Sequence, residues 1–83
     1  MYNAAGIGGE SVEFRFDDHG TMRSLERGVS GAEVEVVPQH YDEQYDGWIA
    51  GSKVRVGKTD GKRLAVLFFP GEPTVVHSVW WER

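Results

Sequence analysis

Ala32-Glu33-Val34-Glu35-Val36-Val37 is followed by the polar stretch Gln39 to Gly47, and then by three apolar runs at Trp48–Val56, Leu64–Phe69 and Val75–Trp81. In the first stretch apolar and acidic residues alternate, which sends Ala32, Val34 and Val36 to one side of a strand and Glu33 and Glu35 to the other. Pro38 ends that strand, because it has no N–H to give to a ladder. Gly51 interrupts the next run where a bulge or bend would sit. Asp60-Gly61, within Lys58-Thr59-Asp60-Gly61, is a hairpin turn signal. Leu64 to Phe69 is almost continuously apolar, as a strand buried on both faces would be, and Pro70-Gly71-Glu72-Pro73 turns the chain into the last run. The stretch predicts an all-β fold, a small barrel or strongly bent antiparallel sheet of five to six strands.

Towards the amino end, Ser11-Val12-Glu13-Phe14-Arg15-Phe16 alternates in the same way and predicts a strand with Val12, Phe14 and Phe16 facing the core. Asp17-Asp18-His19-Gly20 has the composition of a turn. Thr21 to Glu26 is then expected to return as the second strand of a hairpin over residues 11–27, although Met22, Leu25 and Val29 would also suit a short helical turn. Met1 to Glu10 has three glycines, two alanines and no periodicity. The expected division is a flexible amino-terminal segment, 1–10, and a single β domain, 11–83.

A chain of 83 residues buries only about 60% of the surface its unfolded form exposes, so a shallow surface site is expected in place of a deep cleft. With no cysteine, neither a disulfide framework nor a thiolate zinc site supplements the core. A hydrophobic share of 40% with 12% aromatic residues makes packing alone sufficient. The absence of cysteine fits a reducing compartment. No stretch approaches the ~20 apolar residues that cross a bilayer, so a cytoplasmic protein is expected, or a nuclear one in a eukaryote, without a membrane partner. A net charge of −4 argues against a nucleic-acid partner. Charge is nevertheless segregated: Lys53, Arg55, Lys58, Lys62 and Arg63 crowd one segment, and Asp42, Glu43 and Asp46 crowd one loop.

Catalysis has little support in the residues. His19, His40 and His77 accompany no nucleophile elbow around Ser11, Ser30, Ser52 or Ser78, and His77 sits within a strand, where a packed or hydrogen-bonded role is the simpler one. Asp17, Asp18 and His19, or His40 with Asp42, are too few for a metal site, so neither a metal nor a cofactor is expected. Gly6-Ile7-Gly8-Gly9 precedes a strand instead of joining a strand to a helix, which excludes a phosphate loop.

The aromatic residues carry the functional expectation. Tyr41 and Tyr45 lie in the acidic loop, Trp48 opens the next strand and Phe68 or Phe69 ends the one after it. Neighbouring strand ends converge on one rim, since strands lie about 4.8 Å apart. Phe69, Trp80 and Trp81 are each expected in the core, and the tyrosines at the surface among their polar neighbours. Rings beside carboxylates attract a cation through both quadrupole and charge. The expected binding residues are Tyr41, Asp42, Glu43, Tyr45, Asp46, Trp48 and Phe68.

Over residues 32–83 the order of features, Val34-Glu35-Val36, Gly47-Trp48-Ile49-Ala50, Arg55, Leu64-Ala65-Val66-Leu67-Phe68, Val79 and Arg83, resembles the Tudor and Agenet group of SH3-like barrels. The resemblance implies an aromatic cage for methylated lysine or arginine, with Tyr41 or Tyr45, Trp48 and Phe68 as its walls and Asp46 as its carboxylate. The expected function is a non-catalytic protein-binding module that captures a cationic, or methylated, group of a partner protein. A rival reading takes the chain as a complete small acidic inhibitor, of the phage anti-defence type, whose carboxylates block a basic nucleic-acid-binding surface on a larger protein. A third, a single-strand nucleic-acid binder built on the basic segment, is opposed by the net charge.

Overall fold

The computed structural model describes residues 13 to 82. The expected amino-terminal segment 1–10, the Ser11-Val12 start of the first strand and Arg83 lie outside them. Phe14–Phe16 forms β1, with Phe14 and Phe16 packed against the core as their alternation predicts.

Beyond β1 the expected hairpin is replaced by a helix. The Asp17 carboxylate accepts the Gly20 N–H at 2.7 Å, satisfying one of the amides that a helix start leaves unpaired, and Asp18–Arg27 forms α1. The Asp-Asp-His-Gly composition fits a turn and a helix cap equally well, because both use a short polar side chain to bond nearby backbone. The buried residues of α1 are Gly20 and Ser24, while Met22 and Leu25 face outward, Leu25 78% exposed. A β-carbon on Gly20 would stand 2.3 Å from the Val76 carbonyl oxygen, so the helix backbone lies directly on the sheet.

Ala32 to Val37, the expected strand, is also helical. Gly31–Gln39 forms α2, started by a capping box in which Ser30 and Glu33 satisfy each other's backbone N–H. Val34 and Val37, three apart, are fully buried and Val36 is 45% exposed, so the period that operates is helical and the alternation in the sequence is incidental. Pro38 sits inside the last turn of α2 instead of ending a strand.

Four further strands follow: β2 at Glu43–Asp46, β3 at Lys53–Thr59, β4 at Lys62–Phe69 and β5 at Thr74–Glu82. Asp60 and Gly61 both take positive φ, 57° and 74°, in the two-residue turn that joins β3 to β4. The sheet order is β1-β5-β4-β3-β2, antiparallel except that β1 runs parallel to β5. The all-β expectation is therefore corrected: strands dominate, but they form a mixed five-stranded sheet accompanied by two helices. No helix among the described residues is long and apolar enough to cross a membrane.

Alternation along β4 divides the core between the two faces of the sheet. Leu64, Val66 and Phe68 join Val76, Val79 and the helix-side residues Val29, Val34 and Val37. Ala65 and Leu67 join Val54 and Val56 on the opposite face, under Ile49 and Trp80. Of the run Leu64–Phe69 expected to be buried on both faces, Leu64 to Phe68 are buried and Phe69 is half-buried, and each large side chain so buried stabilises the fold by about 1.5–3 kcal/mol.

Candidate functional site: the aromatic face of the sheet

Strand register fixes which side chains share the face without helices. Trp80, Ala65, Val56 and Glu43 form one row across β5, β4, β3 and β2, and Ser78, Leu67, Val54 and Tyr45 form the next. Glu82 and Arg63 begin the row on the other side of Trp80. The middle of each row is buried, which leaves Trp80 and Glu82 on one flank and Glu43 and Tyr45 on the other.

The turn after β2 then folds over this face. Gly47 N–H donates to Ser52 O at 3.0 Å, Ser52 N–H to Ile49 O at 3.0 Å, and the Ser52 hydroxyl to the same Ile49 carbonyl at 2.6 Å. Ile49 packs on the second core, and the Trp48 indole comes to 5.5 Å from that of Trp80, centroid to centroid, tilted by 43°. Residues 48–51, expected to begin a strand, are this turn. Trp48 remains 69% exposed and Tyr45 44% exposed.

Acidic groups edge the rings. Burial pushes the Tyr45 hydroxyl up from its ordinary value, and the negative charges of Glu82 and then Glu43 push it further, so the phenol lies in the field of carboxylates from both flanks. Trp80 Nε1 donates to Glu82 Oε2 at 3.2 Å. Arg63 reaches Glu43 at 2.8 Å and Asp42 at 3.4 Å. Asp46 accepts from Lys53 Nζ at 2.6 Å, and that bond and charge hold its carboxyl below the usual range. These pairs are exposed, and exposed pairs of this kind hold their partners weakly.

The seven residues expected to bind together are divided between the two faces. Tyr45 and Glu43 lie on the aromatic face by register, and Trp48 lies over the same face against Trp80. Phe68 is a core residue, 3% exposed, on the helix side. Tyr41 also lies apart from Trp48: the Arg55 guanidinium sits 4.3 Å from the Tyr41 ring centroid and 5.1 Å from that of Phe68. Arg55 is held there by Nε to Gln44 Oε1 at 2.6 Å and by a second N–H to Pro38 O at 2.5 Å. The aromatic pair that the cage resemblance assigns to an incoming cation is therefore matched with a cation of the chain itself. Asp42 precedes β2 and Asp46 ends it, each engaged by a basic residue.

Sequence reasoning missed Trp80, Glu82 and Arg63. The available signal was alternation along β5, which sends Trp81 to the helix side, where its Nε1 donates to Arg27 O at 2.8 Å, and Trp80 to the other.

A second polar cluster lies at the start of α1. A register shift between Leu67 and Phe68 leaves His77 as the extra residue of β5. Its Nδ1 bonds Asp17 Oδ2 at 2.7 Å, and its carbonyl accepts from His19 Nδ1 at 2.7 Å. The two imidazoles stack at 4.4 Å, 12° from parallel. Among the described residues no group of three or more His, Cys, Asp or Glu is placed to hold a metal ion, and no enclosed pocket is found. No protein-family model, curated protein or solved structure matches the chain.

Proposed function

We propose that this protein is a non-catalytic binding module that takes a cationic side chain of a partner protein onto Trp48, Trp80 and Tyr45, with Glu43 and Glu82 supplying the negative field. The observation that carries the reading is Trp48: an indole 69% exposed yet held in contact with a second indole, on a sheet face that also carries the Tyr45 phenol in the field of Glu82 and Glu43. Exposed aromatic side chains gathered into one patch mark interaction surfaces, and Trp48 with Trp80 begins such a patch. Each cation–π contact at such a site is worth about 0.5–1 kcal/mol, so two or three rings give modest affinity that further docking must supplement.

A methylated lysine or arginine, as the Tudor resemblance implies, is one form of this ligand. The rings that support it here are Tyr45, Trp48 and Trp80, in place of a set that includes Tyr41 and Phe68. The acidic-inhibitor reading draws less support, because it uses the carboxylates alone and leaves the exposed Trp48 and its contact with Trp80 without a role.

Titration of the protein with lysine, trimethyl-lysine and dimethyl-arginine peptides, followed by amide and indole NMR, tests the reading. Alanine at Trp48 or Tyr45 is expected to weaken binding more than alanine at Asp42 or Asp46. The opposite order would favour the inhibitor.

A further inference from the structure

We infer that the partner segment bearing this cation adds to the sheet as an extended strand along the outer edge of β2. The inference rests on the cation-binding reading above and concerns how the partner docks. In the strand order β2 is terminal, and among the described residues its one partner is β3. All four of its residues are exposed.

Alternation tells which backbone groups face outward. Gly47 N–H points to β3, where it bonds Ser52 O, so the amides two and four residues before it, those of Tyr45 and Glu43, point the same way; Asp42 N–H also bonds β3, at Val56 O, so the alternation begins at Glu43. The N–H and C=O groups of Gln44 and Asp46 then face away from the sheet. Such an edge is a template for another strand.

The charges choose the occupant. Asp42, Glu43 and Asp46 line this edge, and their exposed pairs with Arg63 and Lys53 exchange readily for cations of an arriving strand. A second copy is disfavoured, because pairing β2 with itself through the outward-facing Gln44 and Asp46 brings together two edges that each carry Asp42, Glu43 and Asp46, and like charges on neighbouring strands destabilise a pair. The other edge of the sheet, β1, is three residues long and carries Arg15 paired with Glu13 at 3.1 Å, so it presents no field of one sign. A basic strand on β2 places alternate side chains on the aromatic face beside Tyr45, where a lysine meets the ring.

The test uses an end-blocked peptide of alternating threonine and lysine, and the same peptide N-methylated at every backbone nitrogen, which keeps the charges but cannot pair as a strand. Amide hydrogen exchange and indole NMR are read together at saturating peptide. The expected result is exchange at Gln44 and Asp46 slowed at least tenfold, unchanged exchange at Glu43 and Tyr45, a shifted Trp48 indole, and at least tenfold weaker binding of the N-methylated peptide. A Trp48 shift with unchanged exchange at Gln44 and Asp46, and equal binding of both peptides, overturns strand addition and leaves the cation reading standing. Neither a shift nor slowed exchange at millimolar peptide overturns both. Gln44 and Asp46 amides already protected in the peptide-free protein would show the edge to be occupied, by the chain or by a second copy, and would also overturn the inference. The variant Gln44→Pro, which removes one outward N–H, is expected to reproduce the loss seen with the N-methylated peptide; that peptide keeps the test intact should the variant not fold.

Discussion

The Trp48 and Trp80 indoles meet at 5.5 Å although one belongs to the turn after β2 and the other to β5, on the far side of β3 and β4. Trp80 packs on the second core and Trp48 lies over it, largely in water. The two rings therefore have separable roles, one in holding the fold and the other in offering a surface.

Trp48→Ala is expected to cost stability no more than the aromatic pair itself, about 0.5–1.5 kcal/mol, while abolishing detectable cation binding. Trp80→Ala uncovers Val54, Val56, Ala65 and Leu67 and is expected to cost about 2–4 kcal/mol. Urea unfolding of both variants, with peptide titration of whichever folds, checks the separation.

Arg55 ties α2 to the sheet through Pro38 O, Gln44 and the Tyr41 and Phe68 rings. Arg55→Ala is expected to lower stability by about 1–3 kcal/mol. Arg55→Lys recovers only part, because an ammonium lacks the planar fork that makes both hydrogen bonds. Cation binding on the opposite face should be unchanged in both, and denaturation midpoints together with peptide affinity measure the two effects independently.

Gly20→Ala drives a β-carbon to 2.3 Å from Val76 O, and neither backbone gives way without moving α1 off β5. A loss of about 2 kcal/mol or more is expected, visible as a drop of several degrees in Tm. Ala is otherwise the better helix former, so a stabilised variant would contradict the close packing described.

Burial works to raise the Asp17 carboxyl, but the hydrogen bonds from His77 and Gly20 and the charges of His77 and His19 outweigh it and leave the group lowered. A carboxyl lowered on folding contributes stability above its unfolded value and loses it as pH falls through the folded one. The wild-type protein should therefore lose stability from about pH 4 downward. Asp17→Asn, which keeps a cap but carries no charge, should flatten that acid limb; chemical denaturation between pH 2 and 7 compares the two.

The carboxyl-terminal half of the fold was legible because its signals were local and agreed with one another. Asp60-Gly61 dictates a two-residue turn, and the run Leu64 to Phe69 has no polar residue to turn towards water. The amino-terminal half was misread where two periods competed. Ala32, Val34 and Val36 satisfy a strand by alternation while Val34 and Val37 satisfy a helix, and the deciding feature was Ser30 with Glu33, a capping box whose effect lies outside the apolar pattern. For α1 the apolar pattern pointed away from the buried side, since Gly20 and Ser24 bury the helix by their small size. Of the candidate site, Tyr45, Trp48 and Glu43 were legible as a neighbourhood in sequence. Trp80 and Glu82 were not, because only the register of β2 to β5 brings them across the sheet.

The most direct measurement is indole Nε1 NMR of the three tryptophans during titration with tetramethylammonium and, separately, with its neutral isostere tert-butyl alcohol. Trp81, bonded to Arg27 O on the helix side, serves as an internal reference. The account predicts that the cation shifts Trp48 and Trp80 in a saturable way, leaves Trp81 in place, and that the alcohol does neither. No saturable shift of Trp48, or equal shifts with cation and alcohol, would contradict capture of a cation on this face.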